Sequence, residues 1–223
     1  MILNSRKALL SIFPINSSQK ILSDHEKYIA SLLSKKRSIQ YKISRGNIRF
    51  LISKLFRIDP LEVPLFSLPG AAPILGKNFG YVSMSHCSDA LLIGWSKNKI
   101  GVDIENLNRK SLDIRIAERF FNEKDLSRIK QMPEDLLRQE ILKIWVIKES
   151  LIKWQNGNLI DGLMNWHIDN AFQNATYKNK ISNVNIKNVR YKSWEIGLAS
   201  SDKLNLDEIR IKFYQENIEV SEK

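Results

Sequence analysis

The chain has 223 residues, 43% hydrophobic and 26% charged, with a formal net charge of +11. That length supports one large or two small cores, and the balance is that of a globular protein, which excludes disordered and fibrous classes. No apolar run reaches bilayer-spanning length, and the single Cys87 excludes an intrachain disulfide framework. The first residues are briefly apolar, but Arg6 and Lys7 interrupt them, which is not the design of a signal peptide. A cytoplasmic protein without membrane association is expected. The excess of positive charge favours an acidic or phosphorylated partner, with a general bias towards Lys, Ile and Asn as the alternative source.

In chain order, a short strand is expected to end near Pro14, followed by a turn through Asn16-Ser17-Ser18. Ser23 or Asp24 can cap a helix that begins near His25 and buries Ile29, Leu32 and Leu33. A second helix is expected over Ile39 to Phe56, ended by Asp59-Pro60, with Ile48, Leu51, Ile52 and Leu55 as its apolar stripe. Arg37, Tyr41, Arg45 and Arg49 stand four apart along it, forming one row. Two readings are open for that row, a solvated basic face or a set of bidentate phosphate donors. Pro64 to Pro73 reads as a loop, Tyr81 to Ser88 as a strand running into a loop, and Ala90 to Lys97 as a strand. His86 lies between two hydroxyl-bearing neighbours, Ser85 and Ser88, at a strand end where donors to a phosphate can gather.

After the turn Asn98-Lys99 comes Ile100-Gly101-Val102-Asp103-Ile104-Glu105, which alternates. Period two places Asp103 and Glu105 on one face, where adjacent carboxylates need solvent, a proton or a cation. Asn122 can cap a helix starting at Glu123, and a long helix is expected from Pro133 to Trp154, stopped by Asn156-Gly157-Asn158. On its flank Glu149 and Lys153 are four apart, the spacing of a surface ion pair. If Glu149 packs near the Asp103 face, three hard oxygen donors converge and suit Mg²⁺, or Mn²⁺. Strands are expected around Trp166–Ile168, Asn183–Val189, Trp194–Ala199 and Glu208–Tyr214, with a loosely held tail from Glu216. Helix followed by a Gly-containing strand recurs in each half, a pattern of duplication.

Gly101-Val102-Asp103-Ile104-Glu105, followed about forty residues later by Trp145-Val146-Ile147-Lys148-Glu149-Ser150-Leu151-Ile152-Lys153, resembles the signature pair of the 4′-phosphopantetheinyl transferases. It is similar to their larger surfactin- and enterobactin-type branch, in which one chain holds two similar halves. Ser83-Met84-Ser85-His86-Cys87 resembles the family's Ser-x-Ser-His-Ser/Cys motif, Ser44-Arg45-Gly46-Asn47-Ile48-Arg49 its Gly-Arg-x-x-x-Arg element, and Arg119-Phe120-Phe121 its Arg-Phe-Phe element. Gly70-Ala71-Ala72-Pro73 stands where the family often has Gly-Lys-Pro, without the lysine.

The resemblance implies an α+β fold of two pseudo-twofold-related halves, residues 1–99 and 100–223. Each is a small, mostly antiparallel sheet on a long helix, with the active site in the cleft between them. It implies transfer of the 4′-phosphopantetheine group from coenzyme A to a serine of an apo acyl or peptidyl carrier protein by a monomeric enzyme. It also implies metal ligation by Asp103, Glu105 and Glu149, and coenzyme A binding by Arg37, Arg45, Ser85, His86 and Lys153. Glu149 and Lys153 are the implied catalytic pair. Lys148 stays open between a phosphate contact and a surface lysine, and Arg45 between a phosphate contact and a structural role. Leu107, Leu112, Ile114, Phe120 and Phe121 fall where the family offers an apolar docking surface, and serve equally as core. A nucleic-acid-binding protein and an inactive homologue are the alternatives. The chain shows no nucleic-acid-binding signature, and its four acid and lysine positions are intact.

Overall fold

The computed structural model describes residues 7–17, 21–66, 68–215 and 218–220. The first half runs β1 (Ala8–Pro14), α1 (Asp24–Ser31), α2 (Lys35–Phe56), β2 (Leu65–Phe66), β3 (Ile74–Leu75), β4 (Tyr81–His86) and β5 (Ala90–Ser96). The second runs β6 (Ile100–Asn106), α3 (Ile114–Phe120), α4 (Glu123–Lys130), α5 (Glu134–Gln155), α6 (Leu159–Asn165), β7 (Trp166–Ile168), β8 (Asn174–Tyr177), β9 (Lys180–Tyr191) and β10 (Trp194–Ser200). β11 (Ile209–Gln215) and β12 (Ile218–Val220) follow.

One sheet has the order β12-β11-β1-β5-β4, the other β6-β10-β9-β8-β7. Pairing is antiparallel throughout both except between β1 and β11. The alternation of the strands dictates the layering. On β5, Leu91, Ile93 and Trp95 meet Ile48, Leu51 and Ile52 of α2, while Ala90 and Leu92 face the other way. There they join Leu10 and Ile12 of β1, Val102 and Ile104 of β6, and Ile196 and Leu198 of β10 in a core between the two sheets. The far side of the second sheet is covered by α5, whose Ile144, Ile147 and Leu151 are fully buried. The order of layers is therefore α2, first sheet, second sheet, α5, a mixed α+β fold.

Two glycines seat α5. A Cβ at Gly101 of β6 would lie 2.0 Å from the Ser150 carbonyl oxygen, and one at Gly197 of β10 would lie 2.1 Å from that of Val146. Only a strand without side chains at these points lets the helix backbone come so close. The helix ends where Asn156 takes up a left-handed conformation at φ 59°.

Several boundaries differ from those expected. α2 starts at Lys35, four residues before Ile39, so Lys36 and Arg37 lie in its first turn. α1 is capped by Ser23 in a full capping box with Glu26, and α4 by Asn122, as the sequence predicts. Leu32 is exposed beyond the end of α1, not buried in its stripe. α3, α6 and β8 carry no clear sequence signal because they are only 7, 7 and 4 residues long. The turn of residues 98–99 does separate β5 from β6, but β11 and β12 return to the first sheet, where Phe13 stacks on Tyr214 at 4.7 Å. Of the tail expected to be loose, residues 218–220 form β12 against β11. Residues 216–217 and 221–223, like Arg6 and Ser18, lie outside the described residues.

Candidate active site

β6 is an edge strand of the second sheet and β4 an edge strand of the first. They are joined by side chains: the Val102 amide donates to Ser83 Oγ at 3.1 Å, and Ser85 Oγ donates to Asp103 Oδ1 at 2.5 Å. Where these edges meet, a cleft of about 2360 Å³ opens, lined from both halves. Ile100, Val102 and Ile104 point into the intersheet core, so Gly101, Asp103 and Glu105 face α5 and the cleft, as the period-two reading requires.

Asp103 is buried. Its Oδ1 also accepts from Lys153 Nζ at 2.6 Å, while its Oδ2 is buried without a hydrogen-bond partner. Lys153 stands one helical turn from Glu149, with Nζ 3.8 Å from its Oε2. Glu105 pairs with Arg109 Nη1, a contact missed from the sequence because Arg109 lies in an irregular turn. Burial first, and then the Asp103 charge, push the Glu105 and Glu149 carboxyls up to about 7 against the opposing pull of Arg109 and Lys153. The three acids thus line one cleft and act on one another's charge. Among the described residues no three acidic, His or Cys side chains close to metal-ligand spacing, and Lys153 and Arg109 pair with two of the acids. The residues still fit a hard divalent cation: a buried carboxylate oxygen lacks a partner, and two further carboxyls, raised first by burial and then by the Asp103 charge, line the same cleft.

The basic side of the cleft comes from α2 and β4. Arg37 is exposed and Arg45 buried, and both line the cleft. The Arg45 guanidinium lies over the Tyr41 ring, 4.7 Å from its centroid, with Nη1 3.9 Å from Met84 Sδ and Nε unpartnered. Burial draws its pKa below the usual value. His86 ends β4, its Nε2 3.4 Å from Gln40 Nε2. Burial and then the charge of Lys153 hold its pKa low, which favours the neutral ring.

Two positions depart from the sequence reading. Arg49 belongs to neither a solvated face nor a phosphate row: it is buried, pairs with Glu26 at 2.8 Å, and donates to the carbonyls of Pro60 and Val63 at 3.0 Å. Lys148 is neither a substrate contact nor a surface lysine. It is fully buried behind α5, paired with Asp125 at 2.7 Å and donating to the Leu163 carbonyl at 2.6 Å. Leu112 and Phe121 take the core alternative that the sequence left open, with Leu107, Ile114 and Phe120 packed partly against that core.

A mixed α+β fold of two sheets, with acids on a strand and a helix lining the same cleft as two arginines, defines a candidate phosphoryl-transfer site. The model of the 4′-phosphopantetheinyl transferase superfamily matches residues 99–212. The chain is 26% identical over 163 residues to the 4′-phosphopantetheinyl transferase gsp of Aneurinibacillus migulanus, covering 68% of each chain. It is 24% identical over 163 residues to psf-1 of Bacillus pumilus, a match that spans 72% of this chain and 66% of that one. It is 24% identical over 113 residues to Sfp of Bacillus subtilis strain 168, half of each chain. The aligned stretches therefore span from half to about two thirds of these relatives. The chain belongs to the 4′-phosphopantetheinyl transferase superfamily, in the surfactin-type branch.

Proposed function

We propose that the protein transfers the 4′-phosphopantetheine group of coenzyme A to a serine hydroxyl of an apo carrier protein, with release of adenosine 3′,5′-bisphosphate. The observation that carries this reading is that Asp103, Glu105 and Glu149 from β6 and α5 line the same cleft as Arg37, Arg45 and His86 from α2 and β4. The N-terminal half supplies the phosphate donors and the C-terminal half the acids. Arg45 offers a buried guanidinium whose Nε has no partner, a donor suited to a phosphate oxygen. Arg37 and His86, both exposed, line the same cleft and would hold the 3′-phosphate end. The protein works in the cytoplasm, with its substrates, and as a monomer.

Asp103, Glu105 and Glu149 would hold Mg²⁺, which supplies charge neutralisation and Lewis acidity at the pyrophosphate. Ser85 and Lys153 fix the Asp103 carboxylate through its Oδ1 and leave Oδ2 free to ligate. Glu149, on α5 beside Asp103 and lining the cleft, is placed to take the proton of the attacking serine. Lys153, within reach of both acids, steadies the phosphate charge and can return a proton to the leaving oxygen. An acidic carrier suits a chain of net charge +11, which steers the encounter.

Incubation with coenzyme A, Mg²⁺ and a panel of purified apo-carriers, read by mass spectrometry, tests the proposal. The expected result is addition of the phosphopantetheine mass to at least one carrier, lost in Asp103→Ala. Unmodified carriers across the panel, or normal transfer by Asp103→Ala, would overturn it.

A further inference from the structure

The turn after β6 brings a second cation to the acids, and its position is unlike that of Lys153. Lys153 is rooted on a 22-residue helix whose backbone is pressed onto two glycines. Arg109 hangs from a turn, with its side chain 34% exposed. Its Nη1 pairs with Glu105 Oε1, its Nε donates to Ser111 Oγ at 3.2 Å, and its guanidinium stands 5.5 Å from the Trp145 ring centroid. The Glu105 side chain is only 12% exposed, so water contributes little to balancing its charge.

We propose that Arg109 is an internal counter-cation that holds Glu105 in the metal-free protein and leaves it when a divalent cation binds, so that Arg109 sets the affinity of the site for the cation. This rests on the reading of Asp103, Glu105 and Glu149 as cation ligands. A hard cation binds a carboxylate oxygen at about 2.0–2.6 Å. A guanidinium on that oxygen occupies the same space and carries like charge, so the two exclude each other. The apparent cation affinity is then the intrinsic affinity multiplied by the fraction of molecules in which Glu105 is free. The long side chain, tethered to a turn at the rim of the cleft, can swing outward without disturbing a strand or helix. Lys153 cannot take this part so simply, because it is shared between Asp103 and Glu149.

The test is a Mn²⁺ titration of the full chain without coenzyme A, following the free-ion paramagnetic signal, for the wild type and four variants. Arg109→Ala and Arg109→Gln are expected to bind Mn²⁺ about tenfold more tightly than the wild type. Lys110→Ala removes the same charge from the adjacent exposed position and is expected to change affinity less than about twofold. In parallel, Mg²⁺ is expected to change the indole emission of the wild type as the guanidinium leaves Trp145, and to change that of Arg109→Ala far less. If both Arg109 variants bind no more tightly while Glu105→Ala loses binding, the acids are ligands but the counter-cation role is wrong. Equal tightening by Lys110→Ala would reduce the effect to general field and overturn it too. No Mn²⁺ binding by any of these proteins would remove the ligand reading and the proposal together.

Discussion

Lys148 and Glu149 are adjacent in the chain, and their side chains leave α5 on opposite sides. Lys148 is locked to Asp125 and the Leu163 carbonyl behind the helix, while Glu149 opens onto the cleft beside Asp103. Removing one partner of a buried pair strands the other charge, so Lys148→Ala is expected to cost about 3–5 kcal/mol in urea unfolding. In protein that remains folded, the KM for coenzyme A should change little. His86→Ala is expected to raise the KM for coenzyme A more than that for 3′-dephospho-coenzyme A; an equal rise for both would argue against a 3′-phosphate contact. Glu105 and Glu149 also make stability depend on pH. Their folded pKa values, about 7, lie above the ordinary 4.5, so between these values the folded state binds more protons than the unfolded one. Stability conferred by the protonated carboxyls is full below about pH 4.5 and is lost as pH rises towards 7. Thermal melting of the metal-free protein should show this decline, and Glu105→Gln should flatten part of it. That Asp103, Glu105 and Glu149 line one cleft was legible in the sequence because period two and a four-residue spacing set the faces of strand and helix. The pairing of Lys148 was not, since its partner lies on a different helix and nothing in the local pattern of α5 tells front from back.

At the scale of elements, β6 and α5 are the pieces that make the site, and glycine is what lets them touch. Gly197→Ala would set a methyl group against the Val146 carbonyl of α5, where backbone must move to admit it. A loss of about 1–3 kcal/mol is expected from chemical unfolding. Because α5 carries both Glu149 and Lys153, transfer activity should fall further than the folded fraction alone explains. Long elements with repeated apolar spacing, α2 and α5 above all, were readable to within a few residues. Short ones were not: α6 has only seven residues, and three of its apolar side chains, Leu159, Ile160 and Met164, are exposed, so no buried stripe declares it.

At the scale of the whole molecule, strands and long helices were visible along the chain, and the core between the two sheets is built from the alternating faces of β1, β5, β6 and β10. What the order could not reveal is that the last strands cross back to the first sheet, because that contact joins positions some two hundred residues apart, Ala8 with Ile209 and Ile12 with Phe213. Deleting residues 209–223 should therefore unfold the first sheet although its other strands lie before residue 97, as circular dichroism and proteolysis would show. Survival of a folded first half after that deletion would contradict the pairing.

The same return has a consequence in time. As the nascent chain leaves the ribosome, β1 can find β5 early but must wait some two hundred residues more before β11 arrives to cover its other edge, Ala8 against Ile209. Until then a strand rich in Leu, Ile and Phe offers open backbone to any neighbour. A strand made early is thus completed late, and a chaperone that shields Ala8–Pro14 during synthesis would guard an edge open to aggregation.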